Sequence, residues 1–183
     1  MIYTLPTSVE ILGEEHIINT DFRVILDLFE VLNDVDLTDR ERGYLALGFF
    51  YPEFDKIPPE GYEEAVSRLN WFVNGGKEEQ QKNTKKLMDW EQDFPLIIAP
   101  VNRIIGCEVR SLEYLHWWTF LSAFMEIGEC TFAQVLHIRQ EKSAGKKLSK
   151  VDADWYRKNR DIVDLKTKYS DAETELLKYW GGL

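Results

Sequence analysis

The chain has 183 residues, 44% of them hydrophobic and 13% aromatic, enough to bury a core and too many for a chain disordered throughout. Its net charge is −10, and the whole imbalance lies before Lys77: residues 1–76 carry fifteen acidic and five basic side chains, residues 77–183 seventeen of each. That asymmetry predicts two modules with different surroundings. No apolar run is long enough to span a membrane, and Met1-Ile-Tyr-Thr-Leu-Pro6 lacks the basic leader and apolar core of a signal peptide, so a cytoplasm is the expected place of action.

In chain order, Val9–Leu12 and His16–Asn19 flank a turn led by Gly13, which predicts a β-hairpin. Asp21 is placed to cap a helix from Phe22 to Asn33, with Phe22, Ile25, Leu26, Phe29 and Leu32 on one face. Thr38-Asp-Arg-Glu41 has the spacing of a capping box and opens a second helix that Pro52 stops. A third helix, from about Glu60 to Asn74, should turn Tyr62, Val66, Leu69 and Phe72 inward and end at Gly75-Gly76. Lys77 to Lys86 contains no apolar residue. The fold class is therefore mainly α, with a small N-terminal hairpin: an acidic module over residues 1–76, a polar linker over 77–88, and a tryptophan-rich helical module over 89–183.

In the second module Asp93 is expected to cap a helix with Pro95 in its first turn, kinked or shortened at Pro100, resuming through Val101 and Ile105 and stopped by Gly106. Leu112–Ile127 is the densest aromatic run. It predicts a central helix capped by Ser111, ending before Gly128 and apolar on two stripes: Leu115, Trp118, Ser122, Met125, and Trp117, Phe120, Leu121, Phe124, Ile127. Both stripes should be buried, with Trp117 and Trp118 in the core. Thr131 should cap a short helix to Arg139. Trp155, Ile162, Leu165 and Tyr169 should line a longer charged helix, and Ser170-Asp-Ala-Glu173 has a second capping-box spacing that opens a last helix to Trp180.

No catalytic pattern emerges. The glycines form neither a phosphate loop nor a dinucleotide fingerprint, and no serine or cysteine sits in a nucleophile elbow. His16, His116 and His137 lie far apart, and His116 reads as a hydrogen-bonded core residue. Asp89, Glu91 and Asp93 could form an acid–base pair or a hard-cation site, but their place before a helix fits capping and the helix dipole better. Cys107 and Cys130 match no metal or redox spacing and read as small buried hydrophobes. Residues 142–168 hold nine basic and four acidic side chains, but the acids are interleaved, which argues against a nucleic-acid surface. No cofactor or metal is called for.

Asp89-Trp-Glu-Gln-Asp-Phe-Pro-Leu-Ile-Ile-Ala99, Leu115-His-Trp-Trp-Thr-Phe120 and His137-Ile-Arg139 together resemble the gene product 15 family of long-tailed bacteriophages, as do Ile18–Arg23 and Asn70–Lys77. The chain departs from the family pattern at the two prolines of Pro95–Pro100 and at Gly106–Arg110. The resemblance implies a non-enzymatic tail assembly chaperone in the host cytoplasm that binds the tape measure protein and self-associates. The alternatives are a structural minor tail protein that stays in the virion, or a small cytoplasmic enzyme or nucleic-acid binder. Trp71 and Trp180, at helix ends beside Gly-Gly pairs, are the candidate partner-binding residues. Many tail assembly chaperones resemble one another in being made in two lengths by ribosomal frameshifting, and Gly75-Gly76-Lys77 is a place for such a slip. The simpler reading is a helix stop.

Overall fold

The structure is a computed structural model that describes residues 4–77, 86–166 and 168. The expected helix at Ser170–Trp180 and the position of Tyr169 lie outside the described residues.

An antiparallel hairpin opens the chain, with β1 (Ser8–Ile11) paired to β2 (Glu14–Ile17) and Ile11 opposite Glu14. The loop is two residues, Leu12 and Gly13, both at positive φ (53° and 83°), as a tight hairpin turn of the twisted kind requires. Glu64 secures the strained Leu12 by accepting its N–H at 2.9 Å. α1 (Phe22–Leu32) starts at Asp21, whose carboxylate accepts the Arg23 N–H, as expected. α2 (Asp39–Phe50) has both halves of the Thr38–Glu41 capping box. A 3-10 turn (Pro59–Gly61) leads into α3 (Tyr62–Val73). Here the buried face is Ala65, Leu69 and Phe72, and Val66 is exposed. The small Ala65 faces inward where Tyr51 fills the space and donates its hydroxyl to the Ala65 carbonyl.

α4 (Trp90–Ile105) begins one turn earlier than expected. Asp89 is its cap, accepting the Gln92 N–H at 3.0 Å, and the helix runs through both Pro95 and Pro100 before Gly106 ends it at φ 86°. Each proline removes one helix hydrogen bond. Pro95 is exposed and Pro100 partly so, which puts the released carbonyls on the outer side of the helix.

The central helix is shorter than its apolar run. α5 spans Trp117–Met125, and its cap is His116, not Ser111. Ser111 instead closes a 3-10 turn, the residues between it and His116 are not helical, and Asp21 and His116 form a β-bridge. Three bonds stitch that bridge: Phe22 N–H to the Leu115 carbonyl (2.9 Å), Trp117 N–H to the Thr20 carbonyl (2.7 Å), and Leu115 N–H to the Asp21 carboxylate (3.2 Å).

α6 (Thr131–Ser143) follows Cys130, which holds the cap position without a side-chain bond and is partly buried; Cys107 is exposed, contrary to expectation. The expected long charged helix is broken at Asn159 into α7 (Lys150–Lys158) and α8 (Arg160–Val163).

The core does not divide at residues 77–88. Ile25, Phe50 and Phe72 from the acidic half are continuous with Ile97, Trp117 and Phe120 from the tryptophan-rich half. Aromatic rings make the join: Phe22 stacks on Phe120 at 4.7 Å, and Trp90 touches Phe29, Trp117 and Phe124. A small satellite core, Val135, Ile138 and Val163, lies under α6 and α8.

Candidate functional site

The tandem tryptophans have different tasks. A helix end leaves its last carbonyls without donors. At the end of α3 two are supplied from α5: the Trp117 indole N–H donates to the Val73 carbonyl (3.0 Å) and that of Trp118 to the Phe72 carbonyl (2.8 Å). Trp117 is then fully buried, while Trp118 is only partly so. Gly75 and Gly76, at φ 67° and 83°, turn the chain past the Trp118 ring; a Cβ on Gly76 would lie 2.9 Å from that ring. The Gly-Gly pair is thus required both by the backbone and by the close approach of an indole.

This junction is the floor of an open groove of about 350 Å³ between the end of α3 and the outer face of α5. Val73, Trp118, Leu121 and Met125 supply apolar surface, and Ser122 and Lys77 add polar edges. Met125 is 66% exposed. The stripe expected to be buried, Trp118, Ser122 and Met125, is the face of α5 that opens into this groove. Ser122 in mid-stripe was the signal for that: its hydroxyl merely donates back to the Trp118 carbonyl (2.7 Å), as a serine on a free helix face does.

Trp71, a predicted partner-binding residue, is packed edge-on against Trp118, with ring centroids 5.3 Å apart, and is half-buried behind the groove. Trp71 itself does not line the groove, whereas Leu121 and Met125 do. Trp180, the other predicted residue, lies outside the described residues.

The residues considered for chemistry have structural partners. His116 is 3% exposed; its Nδ1 accepts the Trp118 N–H (3.0 Å), so its Nε2 carries the hydrogen that meets the Pro6 carbonyl (3.0 Å). Burial lowers its pKa, with the Pro6 bond opposing. The Asp89, Glu91 and Asp93 carboxylates go separate ways: Asp89 caps α4, Glu91 pairs with Lys168, and Asp93 faces inward to Arg139. Among the described residues, no group of His, Cys, Asp or Glu is arranged to hold a metal ion, and no helix is long and apolar enough to cross a membrane.

The Asp93–Arg139 pair corrects the expectation that Asp93 is a cap. Both side chains are buried, and the fork is bidentate at 2.6 and 2.8 Å. The remaining Arg139 donors reach the carbonyls of Leu87 (3.0 Å), Ile162 (3.0 Å) and Val163 (2.6 Å), so all five N–H groups are used. One guanidinium thereby ties α4, α6 and the end of α8 together.

The family model for the bacteriophage Gp15 protein matches residues 1–165. The chain belongs to the bacteriophage Gp15 family. The match runs from the hairpin through α8 and so takes in the shared core, the Asp93–Arg139 pair and the α3–α5 groove of this Gp15-family protein; Trp180 falls beyond it. Membership points to a structural or morphogenetic role in a bacteriophage. Neither the curated proteins nor the solved structures yield a match.

Proposed function

We propose that this Gp15-family protein is a non-catalytic tail assembly chaperone that binds the tape measure protein in the host cytoplasm and self-associates along it. The observation that carries the reading is the α3–α5 groove, an apolar trough floored by Trp118, Leu121 and Val73 and edged by the flexible side chain of Met125. A surface of this kind suits the apolar stripe of an amphipathic helix, and methionine lets one surface fit successive segments of a long client. The acidic first half favours solubility of the loaded complex. A non-catalytic role is consistent with the structural employment of His116, Asp89 and Asp93.

The test is co-expression with the tape measure protein of the same phage, followed by pull-down. Wild type should retain the client, and Leu121→Glu with Met125→Glu should release it while the fold is kept, since Met125 is exposed and Leu121 only partly buried. Failure of the wild-type chain to retain the client would count against the proposal. A chain recovered in purified particles would favour the minor tail protein instead.

A further inference from the structure

The acidic half contributes to a second concave surface, a cleft of about 300 Å³ between α1 and α4. Leu26, Trp90 and Phe94 form its apolar lining over the buried Phe22, and Asp27, Glu30 and Glu91 stand at its rim. Residues 23, 26, 27 and 30 are one helical stripe of α1, and Trp90, Glu91 and Phe94 are the facing stripe of α4. Two packed helices presenting adjoining stripes leave a trough for a third.

Two arginines also reach this cleft, and both are already neutralised. Arg23 grips both oxygens of Asp21 (3.1 and 3.0 Å) and donates to the carbonyls of Val109 and Leu112. Arg110 pairs with Glu108 at 2.7 Å. Asp27 and Glu30 are exposed and form no ion pair among the described residues. Glu91 does have a cation: the Lys168 ammonium lies 2.7 Å from it, and Glu91, then Asp89 and Glu30, favour its charged form. The chain thus brings one ammonium of its own to Glu91 at the rim, from a neighbouring concavity that Lys168 lines.

The occupant must bring apolar side chains for the lining and positive charge for the rim. The chain's own residues 169–183 hold three acids and one lysine, the wrong sign. A second copy presenting its acidic half has the same fault. We propose that the α1–α4 cleft docks a basic amphipathic helix of a partner protein, its apolar face on Leu26, Trp90 and Phe94 and its lysine or arginine side chains against Asp27, Glu30 and Glu91. An aromatic lining beside carboxylates suits ammonium and guanidinium groups through both charge and ring-face attraction. The inference does not depend on the chaperone reading.

The experiment is fluorescence anisotropy on the full-length chain, with a labelled synthetic helix of leucine and lysine and a matched helix of leucine and glutamate. The lysine helix should bind at least about tenfold tighter, and its affinity should fall as salt rises. Asp27→Lys with Glu30→Lys should remove that preference. Reversing the same number of charges elsewhere, at exposed Asp55 and Glu60, should keep it. Lys168→Ala uncovers Glu91 and should tighten binding by about two- to threefold. Equal binding of the two helices would overturn the inference, as would a preference that survives reversal at Asp27 and Glu30 or is lost equally on reversal at Asp55 and Glu60. Lysine-helix binding at the cleft without retention of the tape measure protein would leave this inference standing and remove the chaperone reading.

Discussion

Arg139→Met tests the account of how the second half of the chain is held to itself. Methionine keeps much of the apolar stem but removes five donors at once. Asp93, fully buried, would be left with the Asp89 N–H at 3.0 Å as its remaining partner among the described residues, and the carbonyls of Leu87, Ile162 and Val163 would lose this donor. Removing one member of a buried ion pair costs about 3–5 kcal/mol, because the other charge stays desolvated. For a chain of this size that is a fall in melting temperature of roughly 6–20 °C. Thermal melts followed by circular dichroism, with urea titrations alongside, would measure it. Asp93→Leu in the same chain removes the orphaned charge, so the double variant should be more stable than Arg139→Met alone. Wild-type melting for Arg139→Met, or a double variant no better than that single one, would refute the reasoning.

Trp117→Ala should cost about 3–5 kcal/mol in urea unfolding, since the ring is fully buried, and Trp118→Ala distinctly less, since its ring is partly exposed. Gly76→Ala should destabilise by about 1–2 kcal/mol in the same assay, because alanine is strained at φ 83° and its methyl meets the Trp118 ring. Gly48→Ala, in the last turn of α2 with open space around it, should instead raise stability by about 0.5–1 kcal/mol. His116 predicts a pH dependence: its folded pKa lies below the ordinary 6.5, so the unfolded chain takes the proton first. The His116 contribution is therefore full above about pH 6.5 and is lost as pH falls through that value toward the folded pKa. His116→Asn, which keeps a capping acceptor, should flatten the fall in melting temperature across that window.

What the sequence disclosed was local. Asp21, Thr38 and Glu41 act on backbone groups two or three residues away, and each cap is where the spacing puts it. Periodicity put Phe22 and Ile25 on the inward face of α1, but it missed the buried Leu28 and included Leu32, which is exposed. What stayed hidden depends on distant partners. Leu112–Leu115 has helical composition but is not helical, and Leu115 and Trp117 instead bond to Thr20, Asp21 and Phe22, more than ninety residues earlier. Asp93 looked like a cap until Arg139, 46 residues on, drew it inward. The change of charge at Lys77 describes the surface, and the core beneath ignores it. The candidate groove was half visible: Trp71 marked its neighbourhood, but the lining residues were assigned to the interior because apolar stripes do not say which of them is covered.

The central claim is that the protein holds the tape measure protein during tail assembly and then leaves. Affinity-tagged chain expressed from the phage genome should be followed by quantitative mass spectrometry in two fractions, tape measure complexes from infected cells and purified virions. The account predicts strong enrichment with the tape measure protein and absence from the virion. Stoichiometric recovery in virions, or no enrichment with the tape measure protein, would contradict it.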